Sequence, residues 1–193
     1  EKGDTRLMRL ISGANADELE KTSQAVVELS KINDDETTLS DDLEKSFTSA
    51  LGEAMINVSS HAYPDDFDPE HLHVGRWWVA ASANRSTRSL NVVAYDQGAT
   101  IPGTLPQRSF FSKVLSWIKG RELLVNPIEI NRHDPDFIEF AMRFGNSSTG
   151  APGRGQGLPQ MCELIDELQD GRLDILSRNG RCSYSASGRF ERT

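Results

Sequence analysis

Twice along this chain a segment of helical period is followed by two short β-prone runs, and that repeated order limits the fold more than any other feature. In the first half, Asp17 to Ile32 carries Leu19, Val26 and Leu29 on one side and breaks at Asn33-Asp34-Asp35. A longer helix follows. Ser40 is placed to cap it, Asp41, Asp42 and Glu44 fill its first turn, and Phe47, Leu51, Ala54 and Val58 continue its apolar stripe until Pro64 stops it. After a Pro/Asp-rich loop from Pro64 to Pro69, the aromatic and β-branched runs Val74 to Ala83 and Leu90 to Tyr95 flank the polar Asn84-Arg85-Ser86-Thr87 and read as a hairpin. In the second half, Leu158 to Gln169 reads as a helix and Gly171 breaks it. Arg172 to Ser177 and Arg181 to Phe190 then read as a second hairpin, turning at Asn179-Gly180.

Helices and hairpins in this order each have one face to bury. The expected fold class is therefore α+β, a two-layer sandwich in which helices pack on one face of a mixed sheet. The 193 residues suffice for one such domain spanning the chain. Gly103 to Pro152 exceeds what a connection needs and holds two short amphipathic segments, Phe110 to Ile118 and Asp136 to Phe144, so it reads as a functional insertion or lid.

The formal net charge of −8 leaves no global basic field, so neither nucleic acid nor an anionic membrane is an expected partner, and any phosphate must be held locally. Apolar runs fall well short of the roughly 20 residues that span a bilayer. No charged and then apolar segment opens the chain, so no secretory leader is expected. Two cysteines, Cys162 and Cys182, are too few for a disulfide framework; they read as core residues of a protein in a reducing cytoplasm.

Three constellations carry chemistry. On the long helix, Glu53, Asn57 and His61 follow one another at i, i+4 spacing and drift only about 40° per step, so a carboxylate and an amide oxygen lie one turn apart. Such a pair suits a general base and a hard oxygen ligand for magnesium. The second is Asp96-Gln-Gly98-Ala-Thr100-Ile-Pro, directly after a strand: an Asp so placed can accept a hydrogen bond from an exocyclic amine, and the Gly permits close backbone approach. The third is Gly153-Arg154-Gly155-Gln156-Gly157-Leu158, which runs into a helix N-terminus, where converging N–H groups and the helix dipole favour phosphate. It is neither a Walker loop nor a dinucleotide fingerprint, since no Gly-Lys-Ser/Thr occurs and no strand directly precedes it.

In residue type, order and context these three sites resemble the GHKL ATPases, the superfamily of gyrase, histidine kinases and anti-sigma serine kinases. The run from Glu53 to Tyr63 is similar to the family's asparagine box, particularly in anti-sigma serine kinases; Asp96 to Pro102 is similar to its first glycine box, and Gly153 to Pro159 to its second. The resemblance covers roughly Leu39 to Phe190 and implies a Bergerat-type ATP-binding fold. It implies Asn57 as the magnesium ligand, Glu53 as catalytic base, Asp96 as reader of the adenine amine and Gly98 as the point of base approach. His61, Thr100, Arg154, Gln156 and Leu158 join the nucleotide site, and the N–H groups of Gly153, Gly155 and Gly157 hold phosphate beneath the lid. Thr100 stands where the family usually has a second Gly. Ser183 takes the place of a threonine whose hydroxyl supports the adenine-binding Asp, and Cys182 replaces a glycine.

ATP and magnesium are thus the implied cofactors, and a regulatory protein the implied partner, with a homodimer as a further option. Two function classes remain open: an enzyme, either an ATPase or a serine/threonine protein kinase, and a catalytically silent, nucleotide-gated interaction module using Phe110, Phe111 and Trp117. A histidine kinase is disfavoured because Asp17 to Ile32 contains no His. A metal hydrolase built on His71 and His73 lacks a third ligand nearby.

Overall fold

The computed structural model describes residues 4–15, 18–31, 40–64, 74–120, 132–145 and 157–193. The chain divides into two compact units, residues 1–98 and 99–193.

The first unit is ordered around one long strand. β1 (Thr5–Leu7) and β2 (Ile11–Gly13) lead into α1 (Leu19–Ser30) and α2 (Asp41–Asn57). The Ser40 hydroxyl accepts from the Leu43 N–H, so the expected cap is present. Beyond Asn57 the helix widens into a π-helical turn, Val58–Ala62, before Pro64. β3 (Trp77–Asn84) and β4 (Ser89–Asp96) form the expected hairpin, in register from Asn84 opposite Ser89 to Trp77 opposite Asp96. β1 and β2 share the other edge of β3, both antiparallel.

Alternation along β3 explains the layering. Trp77, Val79, Ala81 and Ala83 are buried and meet Val26 and Leu29 of α1, Leu51 and Met55 of α2, and Val58 and Ala62 of the π turn. The opposite face carries Trp78 and, on β4, the exposed Val93 and Tyr95. Helices on one face of an antiparallel sheet make this unit α+β.

The second unit begins with α3 (Ile101–Thr104), a 3-10 turn (Leu105–Gln107) and α4 (Phe111–Lys119). α5 (Asp134–Phe144) and α6 (Gly157–Leu168) follow, then β5 (Arg172–Ser177), β6 (Gly180–Ser185) and β7 (Arg189–Arg192) as a meander. Thus the expected single mixed sheet is, among the described residues, two antiparallel sheets, because every pairing except those of β1 and β2 is a local hairpin. The second hairpin turns at Arg178-Asn179 rather than Asn179-Gly180, since Gly180 already pairs with Ser177. The run expected as one strand from Arg181 to Phe190 is two, divided at Ala186 to Gly188, where Gly188 takes a φ of 72°.

α5 lies inside the stretch expected to form a lid, yet it is the central helix of this unit. Its Ile138 and Met142 pack with Cys162, Ile165, Cys182 and Tyr184, while Phe137 and Phe140 pack with Leu105, Val114 and Ile118. Three buried carboxylates accompany this apolar surface: Asp134, Asp136 and Glu139. Each is neutralised from elsewhere in the chain. Arg178 grips Asp134 with Nε (2.8 Å) and a terminal nitrogen, and Arg192 reaches Asp136 and Glu139. His133 Nδ1 lies 3.1 Å from Asp136, and Arg143 Nε donates to Glu139 at 2.7 Å.

Cys162 and Cys182 are buried free thiols, as expected of core residues. Burial pushes both thiols up from 9.0 to about 12. A thiol raised in the folded state contributes stability that is fully present below the unfolded pKa near 9 and is lost as pH rises toward about 12. Native protein at pH 8 is therefore expected to resist a thiol reagent at least about 100-fold better than urea-unfolded protein. Its stability should begin to fall above about pH 9. Rapid labelling of the native chain would contradict the buried placement.

Candidate functional site

The best-defined site residues stand at one end of the first unit, where α2 and β4 finish. Glu53 and Asn57 occupy successive turns of α2, both half-buried. Among the described residues neither side chain makes a hydrogen bond or ion pair, so their oxygens are unspent. His61 sits in the π turn and is exposed.

Asp96 closes β4. Its carboxylate Oδ1 accepts from the Gly98 N–H at 2.8 Å, and burial pushes its pKa up against that stabilising bond. Gly98 is forced by packing: a Cβ there would lie 2.2 Å from the Ala62 carbonyl oxygen and 2.5 Å from the Ala62 Cβ. The π turn and the Asp96 loop therefore touch backbone to backbone. Tyr63, whose hydroxyl accepts from the Gln97 N–H and donates to the Arg76 carbonyl, both at 3.0 Å, ties the same two segments again. Asp96 is thus fixed to the end of the helical run that carries Asn57 and Glu53, five and nine residues before Ala62.

Sequence reasoning quoted Tyr63 within its motif but gave it no task. The signal was present, since a tyrosine at a helix end next to Pro64 has an apolar body to bury and a hydroxyl to satisfy.

The remaining candidates lie in the second unit. Thr100 caps α3, its Oγ1 accepting from the Gly103 N–H at 3.2 Å. Gly157 opens α6 and is buried, and Leu158 beside it is half-buried. Ser183 stands opposite Asp174 across β5 and β6 and donates its hydroxyl proton to that carboxylate. With Arg172 and Arg181, this bond holds the Asp174 pKa down against a desolvation that would raise it. Gly153, Arg154, Gly155 and Gln156 lie outside the described residues, as do His71 and His73.

No protein-family model, no curated protein and no solved structure matches the chain.

Chemically, the first unit offers one half-buried carboxylate poised to accept from a donor, and one carboxylate and one amide on an adjacent helix. Among the described residues no group of three or more His, Cys, Asp or Glu side chains suits a metal ion. A hard cation would be held here by few protein oxygens plus those of its ligand, the usual arrangement for magnesium. Among the described residues no helix is long and apolar enough to cross a membrane.

Phe110, Phe111 and Trp117, on which an interaction module would rely, are half-buried. Phe110 and Trp117 pack on Phe140 at ring distances of 6.4 and 5.6 Å, and Phe111 packs on Phe137 at 5.9 Å.

Proposed function

We propose that this chain is a magnesium-dependent ATP-binding domain of the GHKL type, which hydrolyses ATP or transfers its γ-phosphate to a serine or threonine of a partner protein. The observation that carries this proposal is the locked junction of Asp96 and Gly98 with Ala62 and Tyr63. It sets an amine-accepting carboxylate at the end of the helix that bears Glu53 and Asn57.

Asp96 accepts the adenine amine through the oxygen that Gly98 does not occupy. Asn57 supplies one oxygen to magnesium, the phosphates and waters completing the ion's shell. Magnesium, when bound, neutralises charge on the phosphates. Glu53 takes the proton of the attacking water or hydroxyl. By the resemblance alone, phosphate is assigned to the glycine run at 153–157 with Arg154, and the Bergerat-type arrangement of the α+β fold belongs to the same proposal. Within 103–152, Leu105, α4 and α5 contribute to the core, so a lid does not include them.

Asp96→Asn presents a possible donor to the base amine and is expected to weaken ATP binding about 10- to 100-fold, a loss of roughly 1–3 kcal/mol, while sparing the fold. Because burial raises the Asp96 pKa, wild-type affinity should fall at a higher pH than an ordinary carboxylate would give. Competition binding with ATP and GTP checks both. Equal affinity of the wild type for the two nucleotides would remove Asp96 as the base reader. ADP formation with and without Glu53→Ala separates turnover from binding alone.

A further inference from the structure

The pairing of β3 with β4 ends at Trp77 opposite Asp96, and the next rung would join Arg76 to Gln97. That rung is not made directly. The Tyr63 hydroxyl stands between its two halves, accepting from the Gln97 N–H and donating to the Arg76 carbonyl, each at 3.0 Å. Arg76 cannot swing to compensate, because its Nε donates to Ser12 Oγ at 2.9 Å and its terminal nitrogen to the Ser12 carbonyl at 3.1 Å. On the other side the Gln97 Oε1 accepts from the Val74 N–H at 3.4 Å, and Gly98 is jammed on Ala62. A phenol oxygen from the end of the long helix therefore wedges the strand ends apart one residue beyond Asp96.

We propose that Tyr63 is a positioning residue for base recognition: its hydroxyl fixes the splay of the strand ends and so the direction in which the Asp96 carboxylate points. This inference rests on Asp96 being the base reader. The physical reason is local. Without the hydroxyl, the Gln97 N–H and the Arg76 carbonyl are natural partners, and closing that rung draws Gln97 inward by roughly 2 Å. Gly98 is held by Ala62 and cannot follow, so the strain falls on the Asp96 backbone and turns its carboxylate. Loss of the hydroxyl costs little stability if the rung closes, because both backbone groups stay satisfied.

The test is Tyr63→Phe in the full chain, read by competition between ATP and inosine triphosphate, which carries an acceptor oxygen where adenine carries its amine. The wild type is expected to prefer ATP. Tyr63→Phe should reduce that preference about 10-fold while leaving inosine triphosphate affinity and the melting temperature nearly unchanged. In an Asp96→Asn background, Tyr63→Phe should change the preference no further, because the group it positions is already gone. A purely structural Tyr63 would instead lower affinity for both nucleotides together with the melting temperature. Full retention of the ATP preference in Tyr63→Phe overturns the positioning role alone. A wild type without that preference overturns the Asp96 assignment and this inference with it.

Discussion

Arg178→Ala is expected to destabilise the second unit by about 3 kcal/mol, lowering its melting temperature by on the order of 10–20 °C. Asp134 is fully buried, and its side-chain oxygens accept from the Arg178 fork and the Asn179 N–H. Removing the guanidinium leaves that charge in the interior with one backbone donor. A surface pair would cost under about 1 kcal/mol, so the magnitude separates the two cases. Arg178 also adopts a φ of 56°, which a non-glycine residue holds at a penalty of roughly 1–2 kcal/mol. Arg178→Gly loses the same ion pair without that strain and should be about 1 kcal/mol more stable than Arg178→Ala. Urea unfolding of both variants and of Arg178→Met/Asp134→Leu, in which both charges are absent, reads the three terms. Losses below about 1 kcal/mol in Arg178→Ala would show that Asp134 is hydrated.

The second large effect is Gly98→Ala, expected to cost the first unit about 2–4 kcal/mol. The nearest atoms to the added methyl belong to the Ala62 backbone and Cβ at 2.2 to 2.7 Å, and they lie at the end of a hydrogen-bonded helix. Relief requires moving the π turn or pushing β4 outward. Ala62→Gly removes only the Cβ contact and leaves the carbonyl oxygen, so it should rescue Gly98→Ala only in part. A Gly98→Ala protein as stable as the wild type would mean that the two segments do not meet. Here a glycine read in the sequence as leaving room for a ligand has a sufficient reason within the fold.

The features legible in the sequence are those decided by neighbours along the chain. The Ser40 cap, the strands around Arg85 to Arg88 and the amphipathic α4 follow from local chemistry and periodicity. β1 and β2 escape because strands of three residues show no period, and their partner β3 lies some 65 to 80 residues on. The π turn escapes because residue spacing alone does not reveal which hydrogen bond a helix makes next. By length alone α5 reads as part of a lid, because 103–152 exceeds what a connection needs; in the fold it is core, with Asp134, Asp136 and Glu139 buried along it. Their counter-ions, Arg178 in the turn between β5 and β6 and Arg192 on β7, lie far along the chain, and only the folded chain shows the charges cancelled. At the candidate site, residue types were legible, while the coupling of Asp96 to the helix through Tyr63 and Ala62 depends on contacts some 34 to 36 residues apart.

Isothermal titration calorimetry of the full chain with ATP, in magnesium and again in excess EDTA, tests the central claim most directly. One oxygen from Asn57 cannot hold magnesium without the phosphates, and the phosphates bind poorly without the ion, so affinity should fall at least about 10-fold on chelation. Equal affinity with and without magnesium, or no heat of binding at millimolar ATP, would contradict the account.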